Sequence, residues 1–286
     1  MSILLLGEHG QVSHELQRCL PDLVVRGSAQ LDLSDPAQIR QQVLTLRPRL
    51  IINAAAYTAV DQAESEPERA FAINADAPGV LAELAAELAA PLIHYSTDYV
   101  FDGSLARPYR ETDTPNPLNV YGRSKLAGEQ AIARVGGAHL ILRTSWVYAD
   151  HGRNFLLTLQ HLLQTREQVS VVSDQIGAPT WAGSIAKATA DLIQRWQAGQ
   201  PGSWGVHHLT AQGETSWFGF AEAIGATLRE AGLPCAHLLP ISSAEYPTAA
   251  ARPLNSRLDC SQLQADWRIQ LPHWREGLTA CLRQSA

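Results

Sequence analysis

Cysteine is scarce in this chain of 286 residues, and the four copies lie far apart. Cys19, Cys235, Cys260 and Cys281 form no CxxC pair, so the sequence indicates neither a zinc site nor a disulfide framework. The ten histidines show no metal-ligand spacing either. We therefore expect no bound metal, and a reduced protein of the cytoplasm.

Long apolar runs and basic clusters are also missing. No apolar stretch approaches the roughly 20 residues of a membrane-spanning helix. The N-terminal SILLL is too short, and lacks the basic flank, for the core of a signal peptide. A net charge of −6 with scattered Lys and Arg argues against nucleic acid or an anionic membrane as a partner.

What is present is an alternation of short apolar runs with helical patterns. Strands are predicted at 3–6, 23–26, 50–56, 91–97 and 139–148, with helices at 35–46, 67–90 and 119–135 between them. This rhythm predicts an α/β fold with a doubly wound parallel sheet, the Rossmann type. It loosens after residue 148. We therefore assign 1–148 to a dinucleotide-binding domain and 149–286 mainly to a smaller α/β substrate-binding lobe, allowing for a return of the chain into the first domain.

The stretch GEHGQVS follows the first predicted strand and opens a helix, which is the context of a dinucleotide fingerprint. Gly7 would allow a sharp turn, and Gly10 would let the backbone approach a pyrophosphate at the helix N-terminus. The third position, which serves helix–strand packing, is Ser13 instead of glycine. Taken alone, an ordinary strand–helix turn explains the stretch equally well.

Three further side chains follow in an informative order. Tyr121 and Lys125 stand four apart in YGRSK and so share a helix face. A nearby ammonium lowers the pKa of a phenol, which suits proton transfer to a carbonyl oxygen. Thr97 ends the fourth strand, where ligands of doubly wound sheets bind. Singly, the Tyr/Lys pair is compatible with chance and Thr97 with a turn cap; together with the glycine turn they predict an active site.

With these motifs the chain resembles the extended short-chain dehydrogenase/reductases over nearly its whole length. The stretches that carry the resemblance are ILLLGEHGQV, NAAAYTAVDQAESEPE, HYSTDYVFDG, PLNVYGRSKLAGE, LRTSWVY, DQIGAPT and RPLNSRLD. The last three lie in or near the second lobe and are typical of the family's nucleotide-sugar ketoreductases.

The resemblance implies that NADPH, or alternatively NADH, delivers hydride to the 4-keto group of a dTDP-sugar. It implies that Tyr121 protonates the alkoxide, that Lys125 lowers the pKa of Tyr121 and holds the nicotinamide ribose, and that Thr97 bonds near the reacting oxygen. The implied substrate contacts are Thr97, Asp98 and Trp146. The implied cofactor contacts are Gly7 in the glycine turn, Gly10, Gln11 and Val12 at the pyrophosphate, Asp32 and Leu33 near the adenine, and Ala56, Tyr57 and Thr58 along the cofactor.

The residues alone leave other roles open for two of these positions. Asp32 could instead cap the following helix, and Trp146 could be a core aromatic. Arg26, at the end of the second strand, stands where an acidic residue would favour NAD, so we expect a preference for NADPH. A surface arginine is an equally good explanation of that position.

Some members of the family form magnesium-linked dimers. After DQIGAPT this chain continues WAGSIA, which offers no carboxylate for such an ion. We expect a monomer or weak homodimer without structural metal. Two other functions fit the resemblance: reduction of a different nucleotide-sugar ketone, and a regulatory subunit that binds NADP without turnover.

Overall fold

The computed structural model describes residues 2–284. Its strands are β1 (Ile3–Leu6), β2 (Leu23–Arg26), β3 (Leu50–Asn53), β4 (Leu92–Thr97), β5 (His139–Thr144), β6 (Val147–Tyr148), β7 (Gln168–Val172), β8 (Ile176–Gly177), β9 (Thr180–Trp181), β10 (Gly205–His208), β11 (Thr215–Ser216) and β12 (His237–Ile241). Its α-helices are α1 (Gln11–Cys19), α2 (Pro36–Leu46), α3 (Val60–Ala63), α4 (Pro67–Phe71), α5 (Ala77–Glu87), α6 (Val120–Val135), α7 (Phe155–Thr165), α8 (Ala182–Gln197), α9 (Trp217–Glu230), α10 (Ser261–Trp267) and α11 (Trp274–Gln284).

Six of these strands form one parallel sheet in the order β10-β5-β4-β3-β1-β2. The inner strands are buried on both faces, which explains why they are continuous apolar runs in the sequence. Helices α1 and α8 cover one face through residues such as Leu16 and Ile185. Helices α2, α5 and α6 cover the other face through Ile39, Leu81 and Ile132. The predicted doubly wound α/β sheet is confirmed.

Part of the second half of the chain returns to this sheet. Strand β10 pairs with β5, Val206 lying opposite Ile141, and α8 packs against α1. A second core forms elsewhere, where β7 pairs with β12 and helices α7 and α9 pack beside them. Leu159, Phe220 and Ile224 are fully or almost fully buried in this second core. The division at 148/149 stays a prediction.

The predicted helix over 67–90 is interrupted. Between α4 and α5 the chain makes a π-helical turn at Ala72–Asp76. This turn carries Asn74, whose Oδ1 accepts from the Tyr57 backbone N–H at 2.8 Å and whose Nδ2 donates to Ser124 Oγ at 3.0 Å. Helix α6 passes so close that a Cβ on Gly128 would lie 2.1 Å from the Asn74 carbonyl oxygen. The turn therefore ties the loop after β3 to α6, as such turns often do near functional sites.

The described residues contain no helix that is both long and apolar enough to cross a bilayer. The four cysteines are all free thiols.

Candidate active site

A cleft of about 500 Å³ opens at the carboxyl ends of β1, β3, β4 and β5. That edge is where parallel α/β sheets bind ligands. Ten of the residues selected from the sequence line it: Gly10, Gln11, Val12, Ala56, Thr58, Thr97, Asp98, Tyr121, Lys125 and Trp146. Gly7, Arg26, Asp32, Leu33 and Tyr57 are not part of its lining.

The glycine turn has the shape that a phosphate cradle requires. Gly7 has φ +97°, and a Cβ there would lie 3.2 Å from the Ala55 backbone nitrogen. Gly10 is the N-cap of α1, so the unpaired N–H groups of that helix point towards the cleft. Ser13 is completely buried, and its hydroxyl donates to the Gly7 carbonyl. The serine at the third position thus fastens the turn to the helix.

Tyr121 lies on the first turn of α6, which begins at the N-cap Asn119. Burial raises the pKa of its phenol to about 12, and the Asp98 carboxylate acts in the same direction, whereas a side-chain hydrogen bond with Thr97 opposes it. The Thr97 hydroxyl also donates to Asp98 Oδ1 at 3.1 Å and accepts from the Tyr99 N–H. Tyr121, Thr97 and Asp98 therefore form one cluster of coupled polar groups.

Lys125 does not act as we expected from its spacing. Its Nζ donates to the Tyr95 carbonyl oxygen at 2.7 Å and lies 3.1 Å from His94 Nε2. Burial lowers the pKa of Lys125 to about 8. The expected lowering of the Tyr121 pKa by this lysine is not found, because burial dominates at the phenol and the ammonium faces β4 instead.

Asp98 is a buried acid. Only 3% of the residue is exposed, and Oδ2 has no hydrogen-bond partner among the described residues. Burial raises the pKa of Asp98 to about 6, against the opposing effects of Ser256 and Thr97. An unpartnered carboxylate oxygen at the cleft can accept a hydrogen bond from a ligand.

Trp146 is a lining residue and not a core aromatic. Its backbone has φ 48°, an uncommon conformation for a non-glycine residue that is often found at functional sites. Its ring stacks on Trp217 with centroids 3.7 Å apart and planes at 12°. A Cβ on Gly177 would lie 2.6 Å from the Trp146 ring, so this glycine makes room for it. Sequence reasoning missed Trp217, which no motif connects with the cleft.

The remaining selected residues lie around the cleft rather than on it. Arg26 Nη1 donates to the Val25 carbonyl at 2.9 Å, and Nε lies 3.5 Å from Gln42 Oε1. Asp32 is exposed and accepts from the backbone N–H and hydroxyl of Ser34. The cap of α2 is Asp35, so Asp32 does not cap that helix.

Two other residues selected from the sequence, Leu33 and Tyr57, also lie outside the cleft lining and contact neighbouring elements. Leu33 packs against the apolar cluster on the sheet face covered by α2, α5 and α6. Tyr57 donates its hydroxyl to Glu66 at 3.1 Å. Both side chains thereby support the loops that border the cleft.

A second cavity, of about 480 Å³, shares Tyr99 and Trp217 with the cleft. It lies between the second core and the segment around 246–252. Arg252 lines it and pairs with Asp61 at 2.7 Å, so one guanidinium bridges the two halves of the chain. Trp217 and Tyr99 lie where this cavity adjoins the cleft that contains Thr97 and Tyr121.

Two histidines and a glutamate come together in the fold although the sequence spacing of the histidines indicated no metal-ligand set. Potential ligand atoms of His14, Glu15 and His151 lie within 4.8 Å of one another. His151 Nδ1 lies 2.8 Å from Asp150 Oδ1. The fold thus brings together side chains that are distant in sequence; the prediction of no structural metal stays a prediction.

The chain matches a family model described as the RmlD substrate binding domain over residues 1–286. The dTDP-4-dehydrorhamnose reductases of Escherichia coli (strain K12) and Burkholderia thailandensis are 45% and 44% identical to it over 293 residues. Each alignment covers 99% of this chain and 98% of the relative. The chain belongs to the RmlD substrate-binding domain family.

Solved structures agree with membership of the RmlD family. The Bacillus anthracis dTDP-4-dehydrorhamnose reductase in complex with NADP has a TM-score of 0.91 at 36% identity, covering 99% of both chains. The Thermus thermophilus UDP-glucose 4-epimerase complex with NAD has a TM-score of 0.79 at 16% identity, covering 100% of both chains, and shows the shared fold alone. The similarity to nucleotide-sugar ketoreductases predicted from the sequence is confirmed.

Proposed function

We propose that this chain reduces the 4-keto group of dTDP-6-deoxy-L-lyxo-4-hexulose to give dTDP-L-rhamnose, with NADPH as reductant. The observation that carries the proposal is one cleft in which the glycine turn, Thr97, Tyr121 and Lys125 converge, within a chain of the RmlD family. Members of that family at 45% identity are named dTDP-4-dehydrorhamnose reductase.

The residues present fit a dinucleotide. Gly7 and Gly10 leave no side chain at the N-terminus of α1, where backbone N–H groups can bind a phosphate. Gln11 Oε1, buried there without a hydrogen-bond partner among the described residues, can accept from a hydroxyl of the cofactor. We assign the pyrophosphate to Gly10, Gln11 and Val12, with Gly7 shaping the turn that presents them. The rest of the cofactor is assigned to Ala56, Tyr57 and Thr58, with Asp32 and Leu33 near the adenine and Lys125 at the nicotinamide ribose. When bound, NADPH supplies the hydride.

Tyr121 is the proton donor in this proposal. Because its pKa is raised to about 12, the phenol keeps its proton at neutral pH and can give it to an alkoxide, which is a stronger base. Thr97 holds the reacting oxygen beside the phenol. Asp98 binds a substrate hydroxyl through its free Oδ2, and Trp146 forms the wall against which the sugar packs.

The cavity beyond Trp217 is assigned to the nucleotide part of the substrate. It joins the cleft at Tyr99 and Trp217, so a sugar at Tyr121 could extend into it without leaving the protein surface. Arg252 offers a guanidinium to a diphosphate there. In this arrangement residues 149–286 mainly form the substrate lobe and residues 1–148 the cofactor domain.

Cofactor preference is proposed to depend on Arg26. Its guanidinium contacts Val25 and Gln42, so it must rotate to meet a 2′-phosphate. The test compares kcat/KM for NADPH and NADH in the wild type, Arg26→Asp and the exposed control Arg134→Asp. A preference for NADPH that falls only in Arg26→Asp supports the assignment, and an unchanged preference overturns it.

We also propose a monomer or weak homodimer, in which no metal holds the subunits together. Sedimentation with and without EDTA tests this, and an EDTA-sensitive dimer would refute it. Because His14, Glu15 and His151 are close enough to hold a metal ion, sedimentation of the double variant His14→Ala/His151→Ala is the matched comparison for the EDTA-treated wild type.

The decisive assay follows NADPH oxidation with freshly generated dTDP-4-keto-6-deoxy sugar and identifies the product. Turnover with that sugar and dTDP-L-rhamnose as product support the proposal. Faster turnover of a different nucleotide-sugar ketone would reassign the substrate. Tight NADPH binding without oxidation would favour the regulatory, non-catalytic function.

A further inference from the structure

Lys125 is held by a chain of buried hydrogen-bonding groups that runs from β3 to α6. Lys125 Nζ lies 3.1 Å from His94 Nε2, and His94 Nδ1 lies 3.0 Å from Asn53 Nδ2. Asn53, His94 and Lys125 are each 1% exposed. Because the three side chains are almost fully buried, their hydrogen bonds are made mainly with other protein atoms.

The Asn53 amide decides where the imidazole proton lies. Its Oδ1 accepts from the Ala55 backbone N–H at 3.2 Å, which turns Nδ2 towards His94. Nδ2 can only donate, so His94 Nδ1 is the acceptor. A neutral imidazole then carries its single proton on Nε2, the atom that faces Lys125. We assign the tautomer from this network.

The imidazole is neutral because of its surroundings. Burial, and next the nearby Lys125 charge, lower the pKa of His94 well below its ordinary value. An Nε2–H cannot accept from an ammonium, but it can donate to the lone pair of a neutral amine. When Lys125 is charged, N–H groups of the two side chains face each other unless His94 moves its proton to Nδ1 and Asn53 turns its oxygen towards the ring, which breaks the bond to Ala55.

We propose that His94 is a positioning residue for Lys125. In the cofactor-free protein the Nε2–H of His94, fixed by Asn53, stabilises the neutral amine of Lys125 relative to the ammonium. The inference rests on the proposed cofactor site. It gives binding of an anionic dinucleotide a proton-linked step: the negative ligand favours the ammonium, so the amine takes up one proton from solvent. The His94–Asn53 pair then rearranges so that His94 Nε2 accepts a hydrogen bond from the ammonium.

Other charges around Lys125 do not replace this effect. Glu129, one turn further along α6, raises the pKa of Lys125. Its carboxylate is already matched by Arg143 of β5, whose Nη2 lies 2.6 Å from Glu129 Oε2. Three further titratable groups line the cleft together with Lys125: Tyr121 on the same helix, Tyr95 of β4, whose hydroxyl bonds Thr189, and Asp98 just after β4.

The experiment measures the Kd of NADPH against pH, which is independent of the sugar substrate. In the wild type, binding should weaken as pH rises through about 8, since the favoured ammonium is lost there. Lys125→Met should abolish this inflection, which assigns it to the lysine. His94→Gln offers an amide oxygen to the ammonium, so the inflection should move up by about one pH unit or more.

Asn53→Asp is the second variant, in case His94→Gln fails to fold. A carboxylate at this position accepts from Nδ1–H, frees Nε2 as an acceptor and should also move the inflection upward. An unchanged inflection in His94→Gln overturns the proposal. If only Asn53→Asp folds, an unchanged inflection in that variant does the same. A wild type without an inflection also overturns it. If NADPH binds with the expected pH profile but no keto sugar is reduced, the proposed function fails while this inference stands.

Discussion

Trp146 and Trp217 stack face to face across the cleft, with ring centroids 3.7 Å apart and planes at 12°. Trp146 follows β5 of the central sheet, whereas Trp217 begins α9 of the second core. The left-handed backbone of Trp146, φ 48°, keeps its ring in this position. The pair therefore joins the proposed cofactor domain to the proposed substrate lobe at the point where the cleft meets the second cavity.

Replacing Trp217 by alanine should impair sugar binding and leave cofactor binding intact. Loss of the ring removes part of the wall against which the sugar is proposed to pack, and a loss of about 1.4 kcal/mol of sugar contact would raise KM for the dTDP-sugar about tenfold. Steady-state kinetics and NADPH titration measure the two effects separately. Trp204→Ala, at the Trp204–Trp267 pair away from the cleft, is the matched control. Equal losses in NADPH affinity and sugar KM would contradict this role.

Asp98 should make stability depend on pH in a defined direction. Its folded pKa of about 6 lies above the ordinary value of 3.8, so the folded state binds the proton more tightly than the unfolded state. Stability therefore falls as pH rises between these two values. Relative to Asp98→Asn, the wild type should gain about 2 kcal/mol on going from about pH 7.5 to about pH 4.5. Denaturant unfolding at both pH values checks this; a gain in the opposite direction would contradict it.

Ser13 should contribute to stability more than to cofactor contact. Ser13→Ala removes the hydroxyl that bonds the Gly7 carbonyl, which should cost about 1 kcal/mol of unfolding free energy. NADPH affinity should change by less than about threefold, because the side chain lies behind the turn. Thr165→Ala, which removes an exposed hydroxyl that bonds the His161 carbonyl, is the control. A large loss of NADPH affinity without loss of stability would show a direct role for Ser13.

The buried ion pair of Glu129 and Arg143 should be costly to break. Both side chains are 4% exposed and approach to 2.6 Å. Glu129→Gln leaves the guanidinium unpaired in the interior and should cost about 3–5 kcal/mol. The exposed pair of Arg40 and Glu83 offers the comparison, since Glu83→Gln should cost less than about 1 kcal/mol. Similar costs for the two variants, measured by urea unfolding, would contradict the assigned burial.

The sequence predicts the sheet well because its inner strands are buried on both faces and so appear as uninterrupted apolar runs. The Tyr121–Lys125 spacing likewise depends only on helix geometry. The π-helical turn at Ala72–Asp76 is different, since the surrounding alanines and leucines favour any helix and only the close approach of Gly128 selects the bulge.

Contacts between side chains from distant segments of the chain could not be predicted from the sequence. The His94 side chain looks like one more residue of a buried strand, and its contact with Lys125 depends on how α6 crosses β4. The same holds for the stacking of Trp217 on Trp146. The direction of the Tyr121 pKa shift was missed because burial, which spacing does not reveal, outweighs the lysine charge.

Tyr121 is the proposed proton donor, and turnover should depend on its phenol more directly than on any other side chain of the cleft. NADPH oxidation with the dTDP-4-keto sugar should fall by about 10²–10⁴-fold in Tyr121→Phe, while the Kd of NADPH stays within about threefold of the wild type. Asp98 and Thr97 remain in place in this variant, so the measurement isolates the phenolic hydroxyl. Retention of the wild-type rate by Tyr121→Phe would contradict the account.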